Sequence, residues 1–231
     1  MSKQKILVIA AHPDDEVLGM GGSLLKHNAA GDSISVMFMS DGVTGRDFVY
    51  NFTSRSKEIQ DRKNMALSAG MLYGSQDVTF LDLPNLRMDQ EYLLELTKLI
   101  ENRISEVEPD IVYTHFSSDT NIDHCITHQA CVVALRPVPG RKVSSLRLFE
   151  VCSSTEYKVI NSGNDFNPNL FINISDFVDL KMELIKCYDY ELRDFPHPRS
   201  QKSIQSRDIF RGTSVGLISA EAFIEARRII L

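Results

Sequence analysis

The chain has 231 residues and a formal net charge of −6, with 43% hydrophobic and 24% charged residues. These proportions exclude a disordered or fibrous chain, and the length predicts one domain spanning residues 1–231. The 25 basic residues are scattered among 31 acidic residues, which argues against nucleic acid as a partner.

The apolar run Ile6–Ala11 lies close to the N-terminus and is followed at once by charged residues. It is too short to span a membrane, so it predicts a buried strand and neither a signal peptide nor a membrane span.

The four cysteines lack the paired spacing of a disulfide framework or a thiolate zinc site. We therefore expect reduced thiols and a cytoplasmic protein. The oligomeric state stays open, a homo-oligomer included.

Hydrophobic patterning predicts four βα units in the first part of the chain. Continuous apolar runs are typical of strands covered on both faces of a parallel sheet, and apolar residues at helical spacing mark the helices. The predicted strands are Lys5–Ala10, Ser33–Met39, Asp77–Leu81 and Ile111–Thr114. The predicted helices run from Val17 to Ala29, Arg55 to Ala69, Tyr92 to Ile104 and Asp123 to Pro137. Gly31 is expected to cap the first helix, and the segment Asp41–Phe52 to form a functional loop.

Beyond Arg147 the pattern is weaker. It predicts strands near Leu148–Cys152 and Leu170–Ile174 and helices near Phe177–Tyr190, Gln201–Phe210 and Ala220–Ile230. The βα alternation predicts an α/β fold with a parallel, doubly wound sheet and right-handed crossovers. In such a sheet the ligand crevice lies beyond the carboxyl ends of the strands.

The sequence AHPDDE at 11–16 follows the first predicted strand and therefore lies at this ligand edge. His12 and Asp15 are three residues apart in a turn that contains Pro13, so one turn offers an imidazole and a carboxylate to an ion such as zinc. Asp14 is then left free, and a free carboxylate beside a metal-activated water is what a general base requires. The alternative is that Asp14 or Asp15 caps the following helix and His12 is an ordinary polar residue.

A second polar cluster follows the fourth predicted strand and offers histidines to the same crevice. Its members are His115, Asp119, Asn121, Asp123, His124 and His128. His124 lies at the start of the predicted helix and nearest the crevice, whereas His128 lies one turn deeper and is more typical of a packed or supporting residue. Asp123 is expected either to hold an imidazole in its metal-binding tautomer or to cap the helix.

The two motifs together, AHPDDE at 11–16 after an N-terminal apolar strand and Asn-Ile-Asp-His at 121–124 after the fourth strand, resemble the PIG-L/LmbE-like deacetylases. The resemblance covers most of the chain in the order of its elements. It implies a Rossmann-like fold, one zinc ion bound by His12, Asp15 and His124, and Asp14 as the general base. It also implies a hydrolase that removes the N-acetyl group from a glucosamine-type sugar conjugate.

One position departs from the family. Many members carry a histidine three residues before the metal-binding histidine, where it is thought to stabilise the oxyanion, and this chain has Asn121 there. A neutral amide donates a hydrogen bond to an oxyanion but supplies neither a proton nor a positive charge. The general acid is therefore left open between Asp14, once protonated, and His197 in the sequence FPHPR at 195–199.

Basic residues near the crevice are candidates for binding sugar hydroxyls or a phosphate. Arg55, which opens the helix after the long second loop, is the preferred candidate, with Arg87 and Arg46 behind it. Each of them is alternatively a solvated surface charge. Two other functions stay open: a sugar- or nucleotide-binding protein without catalysis, and a hydrolase of another amide conjugate.

Overall fold

The computed structural model describes residues 3–75, 77–140, 142–158 and 165–230. The strands are β1 (Lys5–Ala10), β2 (Ser33–Ser40), β3 (Asp77–Leu83), β4 (Ile111–His115), β5 (Ser145–Phe149), β6 (Leu170–Asn173) and β7 (Ala220–Arg228). The α-helices are α1 (Asp15–Ala30), α2 (Ser56–Leu72), α3 (Leu93–Val107), α4 (Ile122–Ala134), α5 (Val178–Lys186) and α6 (Gln201–Thr213). The fifth strand therefore begins three residues earlier than its pattern predicts.

Within the described ranges, seven strands form one sheet in the order β3-β2-β1-β4-β5-β7-β6. Strands β1 to β5 pair in parallel, whereas β7 runs antiparallel to both β5 and β6. The strand order reverses at β1, because β2 and β3 lie on one side of it and β4 on the other. Open α/β sheets bind their ligands at such a switch point. The predicted Rossmann-like α/β fold with a mostly parallel sheet is confirmed.

Apolar side chains pack against both faces of the sheet. On β1, Ile6 and Val8 join a core that includes residues of α1 and α5, while Leu7 and Ile9 join a core that includes residues of α3 and α4. Successive side chains of a strand point to opposite faces, so a continuous apolar run is the pattern of a strand buried on both sides. The buried β1 strand fixes the position of the motif that follows it.

The local predictions around α1 and the long loop agree with the structure. Gly31 adopts a left-handed φ of 78° at the end of α1, and its N–H donates to the carbonyl oxygen of Asn28 over 2.9 Å. The segment 41–52 contains a single turn of 3-10 helix, Thr44–Arg46, and is otherwise a loop.

All four cysteines are unpaired thiols. No helix among the residues described is long and apolar enough to cross a membrane.

The prediction for the last element was wrong: the segment 220–230, predicted as a helix, forms strand β7. Alanine, glutamate and arginine favour helices intrinsically, but tertiary pairing overrides that preference because β7 fills the place between β5 and β6. The buried Glu221 carboxylate of β7 accepts hydrogen bonds from the N–H groups of Gly22 and Ser23 over 2.8 and 2.7 Å. It also lies 2.9 Å from the buried Lys181 ammonium. These contacts hold the strand against α1 and α5.

Candidate active site

The loops after β1 and β4 bring together the three residues that the sequence proposes as metal ligands. One ligand atom from each of His12, Asp15 and His124 lies within 4.8 Å of the other two, and all three side chains are buried. Nδ1 of His12 lies 3.3 Å from Nε2 of His124. Oδ2 of Asp15 lies 3.3 and 3.4 Å from these two nitrogens. The cluster sits at the switch point between β1 and β4.

Each of the two imidazoles meets a second carboxylate at its other ring nitrogen. Nε2 of His12 lies 3.0 Å from Oδ2 of Asp123, and Nδ1 of His124 lies 3.1 Å from Oδ2 of Asp119. A carboxylate in this position holds the ring proton and leaves the opposite nitrogen with a lone pair for a metal. In their neutral, metal-binding forms His12 and His124 direct these two lone pairs toward the same point beside Asp15.

This donor set fits a divalent metal ion. Oδ1 of Asp15 is buried and has no hydrogen-bond partner in the described part of the chain. Burial lowers the pKa of His12, but Asp123 and Asp15 outweigh it and raise the value to about 10. Burial likewise lowers the pKa of His124, and Asp15 and Asp119 raise it to about 9. The buried carboxylates therefore favour positive charge at this place, which a divalent cation supplies.

Two further histidines of the second cluster lie next to the ligands. The ring of His115 stacks on that of His124 with the centroids 4.0 Å apart, and its Nε2 accepts a hydrogen bond from the Ala11 N–H over 2.8 Å. Burial lowers the pKa of His115 to about 4, so the ring is neutral. Nδ1 of His128 lies 2.9 Å from the carbonyl oxygen of His115. The structure therefore places His128 against the backbone of β4 and not among the ligand atoms.

Asp14 lies beside the ligand cluster without being part of it. It occupies the N-cap position of α1 but makes no side-chain capping hydrogen bond, so helix capping does not account for its carboxylate. Its φ of 131° is rarely adopted by a residue with a side chain, and its N–H donates to Oε2 of Glu16 over 3.1 Å. Strained backbone of this kind persists where the surrounding structure fixes it, often at active sites.

A pocket of about 180 Å³ opens at the cluster. Its lining residues are His12, Asp14, Gly42, Gly45, Arg46, Arg62, Asn85, Leu86, Asn121, Glu191 and Arg199. Asn121 caps α4 because its Oδ1 accepts a hydrogen bond from the Asp123 N–H over 2.9 Å, which leaves Nδ2 as a donor. A second pocket of about 400 Å³ shares Arg46, Arg62 and Glu191 with the first, so the two pockets adjoin, and we call them together the cleft.

The structure brings some of the predicted substrate-binding residues to this cleft and leaves others outside it. Asn121 and Arg46 line it. Arg55 does not, because its guanidinium is engaged by both carboxylate oxygens of Asp47, at 2.9 and 2.7 Å, and by Glu58. His197 also lies outside the lining, where its Nδ1 accepts a hydrogen bond from the Arg199 N–H over 3.0 Å.

The contacts of Asp123, from the second polar cluster, and of Arg87, a candidate for binding the substrate, are also clear. Asp123 meets His12 and also accepts hydrogen bonds from the N–H groups of Leu86 and Met88, over 2.7 and 3.1 Å, so it supports an imidazole and does not cap α4. Arg87 donates to the carbonyl oxygens of Asp47 and Phe48 and thereby holds the middle of the long loop.

Sequence reasoning missed three charged residues of the pocket, namely Arg62, Glu191 and Arg199. Arg62 lies within α2, where a single arginine resembles an ordinary surface charge. Glu191 lies in a short turn of 3-10 helix with no distinctive pattern. The sequence FPHPR at 195–199 is a candidate segment, but His197 is the residue proposed from it. In the structure Arg199, at the end of this segment, lines the pocket.

The fold and the cluster together define an α/β protein with a candidate metal centre at its switch point. Residues 7–135 match the family model described as PIG-L: GlcNAc-PI de-N-acetylase. The match covers more than half of the chain and includes both motifs. The chain belongs to this family, and the resemblance stated from the sequence is confirmed.

Individual relatives agree with this membership. The uncharacterized deacetylase YaiS of Escherichia coli strain K12 is 31% identical over 141 residues, which cover 59% of this chain and 71% of YaiS. The solved N,N'-diacetylchitobiose deacetylase of Pyrococcus horikoshii is similar with a TM-score of 0.76 at 20% identity, covering 95% of this chain and 82% of that one.

A structure of another activity shares the fold. The 4-carboxy-2-hydroxymuconate hydratase GalB of Pseudomonas putida KT2440 is similar with a TM-score of 0.73 at 19% identity, covering 99% of this chain and 98% of that one. The architecture alone therefore does not specify the reaction, and the argument for function depends on the site.

Proposed function

We propose that this protein is a zinc-dependent N-deacetylase that hydrolyses the acetamide of an amino-sugar conjugate. One observation supports it most directly: a buried set of three ligands, His12, Asp15 and His124, lies beside a carboxylate, Asp14, that has neither a ligand nor a capping role. Membership in a family named for a de-N-acetylase supports the same reaction class.

In this proposal His12, Asp15 and His124 hold one zinc ion. Two imidazole nitrogens and one carboxylate oxygen are typical of catalytic zinc sites, which keep a further position open. A zinc ion bound there supplies Lewis-acid chemistry, because it lowers the pKa of water and polarises a carbonyl group. The carboxylates of Asp123 and Asp119 keep the two imidazoles in the tautomers that this binding requires.

Asp14 carries the proton transfers of the proposed reaction. Burial raises the pKa of Asp14, while the guanidinium groups of Arg199 and Arg62 oppose the rise. A carboxylate with a raised pKa accepts the proton of the attacking water and, once protonated, delivers it to the departing nitrogen. The amide C–N bond breaks, and acetate and a free amine leave. Because His197 does not line the pocket, we assign both proton transfers to Asp14.

Asn121 serves as the hydrogen-bond donor to the tetrahedral oxyanion. Its Oδ1 is occupied by the Asp123 N–H, so the Nδ2 amide hydrogens are the part of the side chain left to act in the pocket. A donor held in place before the reaction stabilises developing charge without reorganisation. The capping bond therefore fixes the orientation of the catalytic amide.

The two pockets of the cleft support the proposal that the substrate is a sugar bearing a further group. The pocket at the ligand cluster takes the acetamide, and the adjoining pocket of about 400 Å³ takes the rest of the conjugate. Arg46 lies at the junction, where its guanidinium donates to Oε1 of Glu191 over 3.1 Å, and we propose that its exposed side chain also contacts the substrate. We also propose a cytoplasmic location, which the four unpaired thiols support.

The test is release of acetate, together with appearance of a free amine, from a panel of N-acetylhexosamine conjugates and other N-acyl amines. We expect zinc-loaded wild-type protein to release both products in equal amounts from at least one amino-sugar conjugate, and Asp14→Asn with full zinc content to be inactive. Wild-type protein that binds zinc but cleaves none of these amides would contradict the proposal, as would an Asp14→Asn variant of unchanged activity.

A further inference from the structure

Four charged side chains form a closed ring of alternating sign at the edge of the pocket. Nη1 of Arg199 lies 3.0 Å from Oδ2 of Asp14 and 3.1 Å from Oε2 of Glu191. Nη2 of Arg62 lies 2.5 Å from Oε1 of Glu191, and its Nη1 lies 3.5 Å from Oδ2 of Asp14. Each guanidinium of the ring therefore contacts both carboxylates, and each carboxylate contacts both guanidinium groups. The exposed Arg46 adds a third guanidinium outside the ring, with Nη2 3.1 Å from Oε1 of Glu191.

The two guanidinium groups are also held from outside the ring. Arg62 donates to the carbonyl oxygens of Pro13 and Gly42 over 3.2 and 3.5 Å, and Nε of Arg199 donates to Oγ of Ser153 over 2.7 Å. The Arg62 side chain is 8% exposed. Charged hydrogen bonds in such surroundings are stronger than those at an open surface, so the ring is a rigid assembly.

The ring holds one oxygen of the Asp14 carboxylate. The ion pairs of both guanidinium groups fall on Oδ2, and among the described residues neither arginine donates a hydrogen bond to Oδ1. A carboxylate fixed through one oxygen presents the other in a single direction. Glu191 is needed for this geometry, because two guanidinium groups that meet at one carboxylate repel each other unless a second anion lies between them.

We propose that Glu191 and Arg199 are positioning residues for Asp14. This inference rests on the proposed function, in which Asp14 moves the protons of the reaction. Both residues come from the segment after α5, outside the residues 7–135 that match the family model. Arg199 orients the carboxylate directly, and Glu191 acts through the two arginines. The C-terminal part of the chain thus sets the geometry of a residue in the N-terminal motif.

The experiment compares Arg199→Gln, Arg199→Lys and Glu191→Gln with Arg211→Gln as the matched control. Arg211 is also 20% exposed and also paired with a glutamate, Glu150, but it lies outside the cleft. Zinc content and thermal unfolding are measured first. Crystal structures of Arg199→Gln and Glu191→Gln then give the orientation of the Asp14 carboxylate, and steady-state kinetics give kcat and KM separately.

We expect the Asp14 carboxylate to rotate in Arg199→Gln and Glu191→Gln while zinc content stays at the wild-type level. We expect kcat to fall about 100-fold, because a misplacement of about 1 Å has that effect, with KM nearly unchanged. Arg199→Lys restores part of kcat, and Arg211→Gln matches wild type. An unmoved Asp14 carboxylate in both variants would overturn the inference. The orientation of the Asp14 carboxylate tests the positioning role even if the wild-type protein cleaves no amino-sugar conjugate. Such inactivity would refute the proposed function, not the positioning role.

Discussion

The carboxylate of Asp119 lies 3.1 Å from Nδ1 of His124, while Asp15 lies 3.4 Å from Nε2 of the same ring. The imidazole is thus held between two carboxylates, one at each ring nitrogen. Asp119 is itself fixed, since its Oδ1 accepts a hydrogen bond from the Asn121 N–H over 2.9 Å and its Oδ2 accepts one from Oγ1 of Thr155 over 2.9 Å. We therefore expect metal affinity to depend on Asp119, which is not among the proposed ligands.

Asp119→Asn should weaken zinc binding by about 10- to 100-fold, because a neutral amide stabilises the His124 Nδ1 proton less than the carboxylate beside it does. The measurement is competition against a chelator of known affinity. Asp89→Asn is the control, since Asp89 is exposed and lies outside the cluster. Equal zinc affinity in Asp119→Asn and wild type would show that Asp119 has no such role.

His12→Ala and His124→Ala should each lose bound zinc, because two protein ligands of the proposed set remain. His128→Ala should retain it, since His128 contacts the backbone of β4. Elemental analysis after dialysis gives the zinc stoichiometry of each purified variant. Zinc retained in His124→Ala and lost in His128→Ala would transfer the ligand role to His128.

Zinc affinity should rise with pH. The pKa of His12 is raised to about 10 and that of His124 to about 9, so both imidazoles carry an additional proton at neutral pH. Zinc displaces these protons, and each one displaced makes the apparent affinity increase up to about tenfold per pH unit below the pKa. Titration calorimetry in buffers of different ionisation enthalpy counts the protons released. A zinc affinity that does not change with pH across the neutral range would exclude the raised pKa values of His12 and His124.

Asn121→Ser should lower kcat by about 100-fold, the typical effect of removing one oxyanion donor. Serine is also a good N-cap residue, so α4 and the thermal unfolding temperature should be preserved. Kinetics at saturating substrate, paired with calorimetric melting, separate the two roles of Asn121. Wild-type turnover in a folded Asn121→Ser variant would remove the amide from the mechanism.

Glu221→Gln should lower the free energy of unfolding by about 3 kcal/mol, because the buried Lys181 ammonium loses one of its two carboxylate partners. Glu225→Gln on the same strand should lower the free energy of unfolding by at most about 1 kcal/mol, since Glu225 is only partly buried. Urea denaturation of both variants provides the comparison. Lys181 lies 2.7 Å from its other carboxylate partner, Asp208, in α6. Equal stability of the two variants would mean that the buried ion pair of Glu221 with Lys181 does not secure β7.

The local sequence pattern was sufficient to predict the elements that bury a continuous apolar run. The strand after the N-terminus and the left-handed Gly31 follow from the spacing and type of neighbouring residues alone. The last strand could not be predicted in this way, because Ala220–Arg228 pairs with β5 and β6 from distant parts of the chain. Its helix-favouring composition is outweighed by these pairings and by the buried contacts of Glu221.

The same distinction applies to the site. The ligand cluster comes from two short motifs that each follow a strand, so topology alone predicts that His12 and His124 lie close together. The residues around Asp14 come from α2 and from the segment after α5, and no local spacing links Arg62 to Glu191. Arg55 illustrates the converse, because a cation that looks free in sequence is engaged by neighbouring acids in the structure.

Anomalous diffraction across the zinc absorption edge, from crystals of the wild-type protein supplied with zinc, tests the central claim most directly. The account predicts a single strong peak, with Nδ1 of His12, a carboxylate oxygen of Asp15 and Nε2 of His124 each about 2.0 to 2.2 Å away. A map without a peak at this position, or with zinc held by other residues, would contradict it.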